Sequence, residues 1–193
     1  MIVVGVGVGP KMLTQEAIEV ISNAPVVYGS KRSIEIAEEF IKCEAHLIKD
    51  YKNLHLLPED AVILSTGDPM FSGLGKFATE KDRIVTGVSS IQAACARFHV
   101  DMSTLAMITA HGRDPAPAKE AFIREIGLGK NIFLLPADSF GPREVAAVLQ
   151  DVGVDARICI YEDIGYPYER AVCGTVAEPP ENNSDMYCIV IVR

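Results

Sequence analysis

The sequence predicts an α/β fold of two α/β lobes with mostly parallel sheets, and three observations predict it. Short aliphatic, β-branched runs alternate with stretches of helical periodicity along the whole chain. The runs are apolar throughout rather than alternately apolar and polar, as strands covered on both faces of a parallel sheet are. Glycine-bearing turns follow three of them, at residues 5–9, 67–75 and 86–92, where an open α/β sheet presents its carboxyl ends.

Residues 2–6 form the first run, and Thr14 then caps a helix, with Leu13 and Ile18 spaced as a hydrophobic staple. Strand 26–28, a helix near 33–41, strands 45–48 and 61–65, and helix 90–98 complete the first series. The second comprises strand 105–109, helix 116–125, strand 131–135, helix 143–152 and strand 156–161, followed by strands 170–173 and 187–192. No helix fits between the last two, so they are expected to pair with each other, antiparallel. A break at 100–103 divides the chain into lobes 1–101 and 102–193, each of a size a domain can just sustain. The polar stretch 178–185 reads as a loop.

With 49% apolar residues in 193, the chain can bury a core without staples. Five cysteines lie far apart without a CxxC pair, and the odd count argues against a disulfide framework and for a reducing compartment. A net charge of −8 gives no general attraction to a phosphate backbone, which excludes nucleic acid as a general partner while leaving room for a local cationic pocket. No apolar run approaches about 18 residues and residues 1–10 carry no basic n-region, so the expectation is a cytoplasmic protein without a membrane span. His46, His55 and His99 have no partner at ligand spacing, so no protein-bound metal is expected.

Three loops carry the candidate chemistry. Gly5, Gly7 and Gly9 form GxGxG before Pro10, short of the dinucleotide GxGxxG, and Tyr28–Gly29 stand where a ribose-binding acid belongs. The turn either simply reverses the chain or admits a ligand. Asp68 before Pro69 has the form of a helix cap and first-turn pair. Gly73 and Gly75 would each cost roughly 1 kcal/mol in a helix, which favours a loop that bends or accepts a ligand. Ser89 and Ser90 open a helix, and one hydroxyl can cap while free N–H groups meet a ligand. In the second lobe His111, Gly112 and Arg113 follow one strand, and Glu162 to Pro167 follow another. Neither a GxSxG elbow nor a partnered cysteine supports covalent catalysis.

The glycine loop, GDPMFSG, TGVSSIQAA, HGR and YEDIGYPYER, in this order, resemble the tetrapyrrole methylases over nearly the whole chain. HGR and EDIGYPYER look like the branch that methylates carbon 5 of precorrin-7 or cobalt-precorrin-7. The resemblance implies a homodimer with S-adenosyl-L-methionine folded in a cleft between two lobes, lined by Val8, Gly67, Asp68, Phe71, Ser89 and Ser90, with Leu135 and Ile164 from the second lobe. It also implies a precorrin-type tetrapyrrole as methyl acceptor. Two departures affect local geometry: the acid usual before Pro10 is missing, and Thr86 replaces a proline. The decarboxylating domain fused to some relatives is absent, so a separate decarboxylating methyltransferase is expected as pathway partner. His111 is the candidate general base, and Arg113 and Tyr166 are candidates for binding substrate, with Lys31 and Arg32 as further cations for its carboxylates. Two alternatives stay open: another ring carbon methylated by the same fold, or a nucleotide-binding module that does not turn over.

Overall fold

The computed structural model describes residues 1–112 and 114–193. They form two compact units, Met1–Ser90 and Ile91–Arg193. The division falls after the first residue of the helix expected at 90–98, because the rest of that helix packs with the second unit: Phe98 meets Tyr161 edge-on at 6.0 Å and Arg97 lies over the same ring.

The first unit contains β1 (Ile2–Gly5), α1 (Gln15–Ser22), β2 (Val26–Gly29), α2 (Lys31–Ala37), β3 (Glu44–Leu47), β4 (Val62–Ser65) and β5 (Arg83–Val85). Its sheet runs β3-β2-β4-β1-β5, and every pairing is parallel. Val4, Val27 and Leu64 pack on one side with Ala17, Ile21 and Ile36 of the helices, while Val3 and Ile63 pack on the other with Leu54. Burial on both sides is why these strands are apolar throughout. The caps are local chemistry: Thr14 Oγ1 accepts from Ala17 N at 3.1 Å, and Ser30 Oγ accepts from Ser33 N at 3.0 Å.

The second unit contains α3, which begins at Ser90 and ends at Phe98, then β6 (Leu105–Thr109), α4 (Ala116–Gly127), β7 (Asn131–Leu135), α5 (Pro142–Asp151), β8 (Arg157–Glu162), β9 (Arg170–Gly174) and β10 (Tyr187–Val192). The strand order is β6-β7-β10-β8-β9, and only β6 with β7 is parallel. Parallel pairing still predominates over the chain, but it is concentrated in the first unit. The expected β9–β10 pair does not form. Both strands pair antiparallel with β8, from opposite sides. Burial explains the order: Cys188 to Ile191 are all buried, which suits a central strand, whereas β9 has no buried residue and takes the edge. The core beneath α4 and α5 includes Phe122, Phe140, Leu134, Leu149, Ile160 and Ile189, with the two phenylalanines edge-to-face at 5.7 Å.

The cysteine count argued against a disulfide framework, yet one bond does form: Cys159 and Cys173 are joined across directly opposed positions of β8 and β9. Their distance in sequence concealed a contact created by strand pairing. Closing a loop of this length is worth about 3 kcal/mol. Cys173→Ser should therefore lower the unfolding free energy by about 2–3 kcal/mol without reductant and match the reduced wild type in dithiothreitol. Urea unfolding with and without reductant measures this, and coincident oxidised curves would rule out any constraint from the bond. Cys95 and Cys188 are free, and burial pushes both thiols above their usual range, which keeps them protonated and unreactive. Among the described residues, no helix is long and apolar enough to cross a membrane.

Candidate active site

The strand order determines where the loops meet. β4 and β1 are neighbours, yet β1 connects onward to β2 on one side and β4 to β5 on the other. The two connections pass over opposite faces of the sheet, α1 on one and Leu74 and Phe77 on the other, and such neighbours leave a crevice at their carboxyl ends, the usual ligand position of an open α/β sheet. Val8, Gly67, Asp68, Phe71 and Ser89 lie in loops at this edge, and Ser90 begins α3.

The three loops are joined through backbone. Gly67 N donates to Gly7 O at 2.8 Å, Gly7 N to Gly67 O at 3.3 Å, and Val8 N to Val88 O at 2.9 Å. An added Cβ on Gly5 would stand 2.6 Å from Gly87 N and 2.7 Å from Gly67 O, so these strand ends touch with no room for side chains. Gly67 itself has φ 71° and faces open space, with nothing within 4 Å of an added Cβ. Space is therefore open beside its Cα, while its N–H and carbonyl are both bonded to Gly7.

Asp68 does not cap a helix, since only turns and bends separate it from a 3-10 segment at Leu74–Phe77. Its carboxylate instead accepts from Met70 N at 2.8 Å and from Gly87 N at 3.2 Å, tying the second loop to the third. Gly73 and Gly75 are explained by the loop's own packing: a Cβ would meet Ser65 Oγ in the first case and Pro69 O in the second. Ser89 is buried just before α3. Arg32, a candidate for substrate carboxylates, donates to Val8 O at 2.7 Å and so pins the glycine loop; no sequence signal pointed to that bond. Lys31 sits 3.8 Å from Glu35 on the exposed face of α2.

In the second unit β6, β7 and β8 run in one direction, β8 through two antiparallel pairings, so their carboxyl ends share one edge. His111, Leu135, Ile164 and Tyr166 follow or end these strands and are gathered there. His111 is exposed in a turn, Leu135 and Tyr166 are half-buried, and Ile164 is buried. Arg113 lies outside the described residues. The acidic motif after β8 is a frame: Glu162, 1% exposed, accepts from Arg170 Nη1 at 2.7 Å and from the N–H groups of Asn183 and Ser184. Glu169 Oε2 accepts from Gly165 N at 2.8 Å and Tyr161 Oη at 3.1 Å. A buried carboxylate so paired costs several kcal/mol to orphan, which accounts for an acid–base pair at the two ends of this loop. Tyr166 and Tyr168 stack at 5.5 Å at its tip. Among the described residues no group of three or more His, Cys, Asp or Glu could hold a metal ion.

The arrangement defines an α/β enzyme whose candidate residues collect at the carboxyl edges of two different sheets. Residues 1–180 match the family model of the tetrapyrrole (corrin/porphyrin) methylases, and the chain belongs to that family. A probable cobalt-precorrin-7 C(5)-methyltransferase from Methanocaldococcus jannaschii is 32% identical over 87% of this chain and 85% of its own length. Among solved structures, a cobalamin-biosynthesis precorrin-6Y methylase from Archaeoglobus fulgidus superposes with a TM-score of 0.77 at 28% identity, covering 100% of this chain and 97% of that one. A uroporphyrin-III C-methyltransferase from Thermus thermophilus, complexed with S-adenosylhomocysteine, has the same fold with a TM-score of 0.71 at 22% identity, covering 98% and 95%.

Proposed function

We propose that the chain transfers a methyl group from S-adenosylmethionine to carbon 5 of cobalt-precorrin-7 or precorrin-7. The observation that carries this reading is the junction of three glycine loops at the carboxyl ends of β1, β4 and β5, which leaves space beside the Gly67 Cα while Asp68 and Arg32 fix the loops around it. Val8, Gly67, Asp68, Phe71, Ser89, Ser90, Leu135 and Ile164 hold the S-adenosyl ligand, and Tyr166 and Arg113 bind the tetrapyrrole. The likeness to a carbon-5 methyltransferase over most of both chains supports the choice of ring carbon.

The bound donor supplies a methyl already activated by its sulfonium. The carbon–sulfur bond breaks as a carbon–carbon bond forms, sulfur keeps the electron pair, and a ring proton departs. The protein's task is alignment and exclusion of water, and positioning of this kind supplies about 7–11 kcal/mol. The exposed imidazole of His111 receives the ring proton. The working protein is a cytoplasmic homodimer without a resident metal, and a separate enzyme performs the decarboxylating methylation.

Calorimetric titration with S-adenosylmethionine, S-adenosylhomocysteine and NAD tests the ligand class. Both adenosyl ligands should bind and NAD should not, since no acidic residue ends β2, where a ribose would need one. Binding of NAD together with failure of both adenosyl ligands would overturn the methyltransferase reading.

A further inference from the structure

We infer that Thr109 is an additional ligand-binding residue, whose hydroxyl hydrogen-bonds the S-adenosyl ligand at the end of β6. Its Oγ1 is the one buried side-chain oxygen or nitrogen without a hydrogen-bond partner among the described residues. Buried polar groups in native proteins are otherwise paired, because a desolvated hydroxyl with no partner is costly. Valine has the same shape and would avoid that cost, yet the strand ends LAMIT with the hydroxyl in place.

The alternation of β6 fixes the side on which the hydroxyl lies. Ala106, Ile108 and Ala110 belong to the core beneath α4 and α5, so Thr109 projects from the opposite face. There it is the direct register partner of Leu135, and Ala110 N donates to Leu135 O at 2.8 Å. Ile132 and Leu134 join that same core, so Leu135 also projects from the face that carries Thr109. The orphaned hydroxyl therefore stands beside a residue proposed to hold the ligand, two positions before His111. A hydroxyl both donates and accepts, so it suits the polar edges and hydroxyls of an adenosyl group.

The inference rests on the proposal that the chain binds an S-adenosyl ligand, and S-adenosylhomocysteine is the probe. Thr109→Val should keep or raise the melting temperature of the ligand-free protein, because no bond is lost there. It should weaken S-adenosylhomocysteine about fivefold to tenfold by calorimetry, the effect of one hydrogen bond. Thr109→Ser should recover most of the affinity. Should valine overpack the site, the pair Thr109→Ser and Thr109→Ala makes the same comparison at smaller volume. An unchanged dissociation constant in Thr109→Val overturns the inference, as does a fall in ligand-free stability that reveals a structural partner. A wild-type protein that does not bind S-adenosylhomocysteine would instead refute the proposed function itself.

Discussion

Gly87→Ala should cost about 3 kcal/mol or more and abolish binding of S-adenosylhomocysteine, the larger of the two strongest effects expected from this structure. The new methyl would overlap the Gly67 carbonyl oxygen and stand 2.8 Å from the Gly5 carbonyl carbon and 2.9 Å from its Cα. All three contacts are backbone, so no side chain can rotate away. Relief requires β1 and the second loop to separate from the third, which breaks the Gly87 N bond to Asp68 and moves Gly67 from the position left open for a ligand. The control is Gly127→Ala at the end of α4, where an added Cβ meets nothing and φ is not in the left-handed region. That substitution should stabilise by about 0.5–1 kcal/mol through the unfolded chain. Differential scanning calorimetry of both variants, followed by ligand titration of whichever folds, separates steric conflict from a generic glycine effect. Wild-type melting of Gly87→Ala would mean that the three-glycine contact does not hold the loops.

His111→Ala should lower kcat by about 10²- to 10⁴-fold, the range for loss of general-base help, with the dissociation constant of S-adenosylhomocysteine unchanged. The imidazole is exposed at the carboxyl edge of the second sheet, where it can reach substrate without first leaving a buried network. A removed base acts on the chemical step, whereas a residue that merely orders the turn would shift stability and KM together. Steady-state kinetics with a precorrin acceptor distinguish the two. An unaltered kcat would remove His111 from the catalytic residues.

Much of this architecture was legible because it depends on short-range patterning. α3, β6, β7 and β10 begin and end where the hydrophobic runs and caps put them, and Thr14 caps α1 through its own side chain as its sequence context required. The site loops were legible for a related reason: glycine, Asp-Pro and Ser-Ser steps after apolar runs mark strand ends wherever they occur. Asp68 illustrates the boundary. Its importance could be read from Gly-Asp-Pro, but its role could not, because its second partner, Gly87 N, is 19 residues away and meets it only through the β4-β1-β5 order.

The sequence by itself determined the α/β class, most strand and helix positions, the family resemblance and the loops that carry chemistry, since each follows from local periodicity, turn preference or motif order. Only tertiary structure decided which strands are neighbours. That choice inserted β10 between β7 and β8, brought Cys159 opposite Cys173, buried Glu162 with Arg170, turned Arg32 toward Val8 and left the Thr109 hydroxyl, beside Leu135, without a partner among the described residues. The physical reason is common to all five. Register and strand order minimise exposed apolar surface over the whole sheet, and that sum depends on residues far apart in the chain.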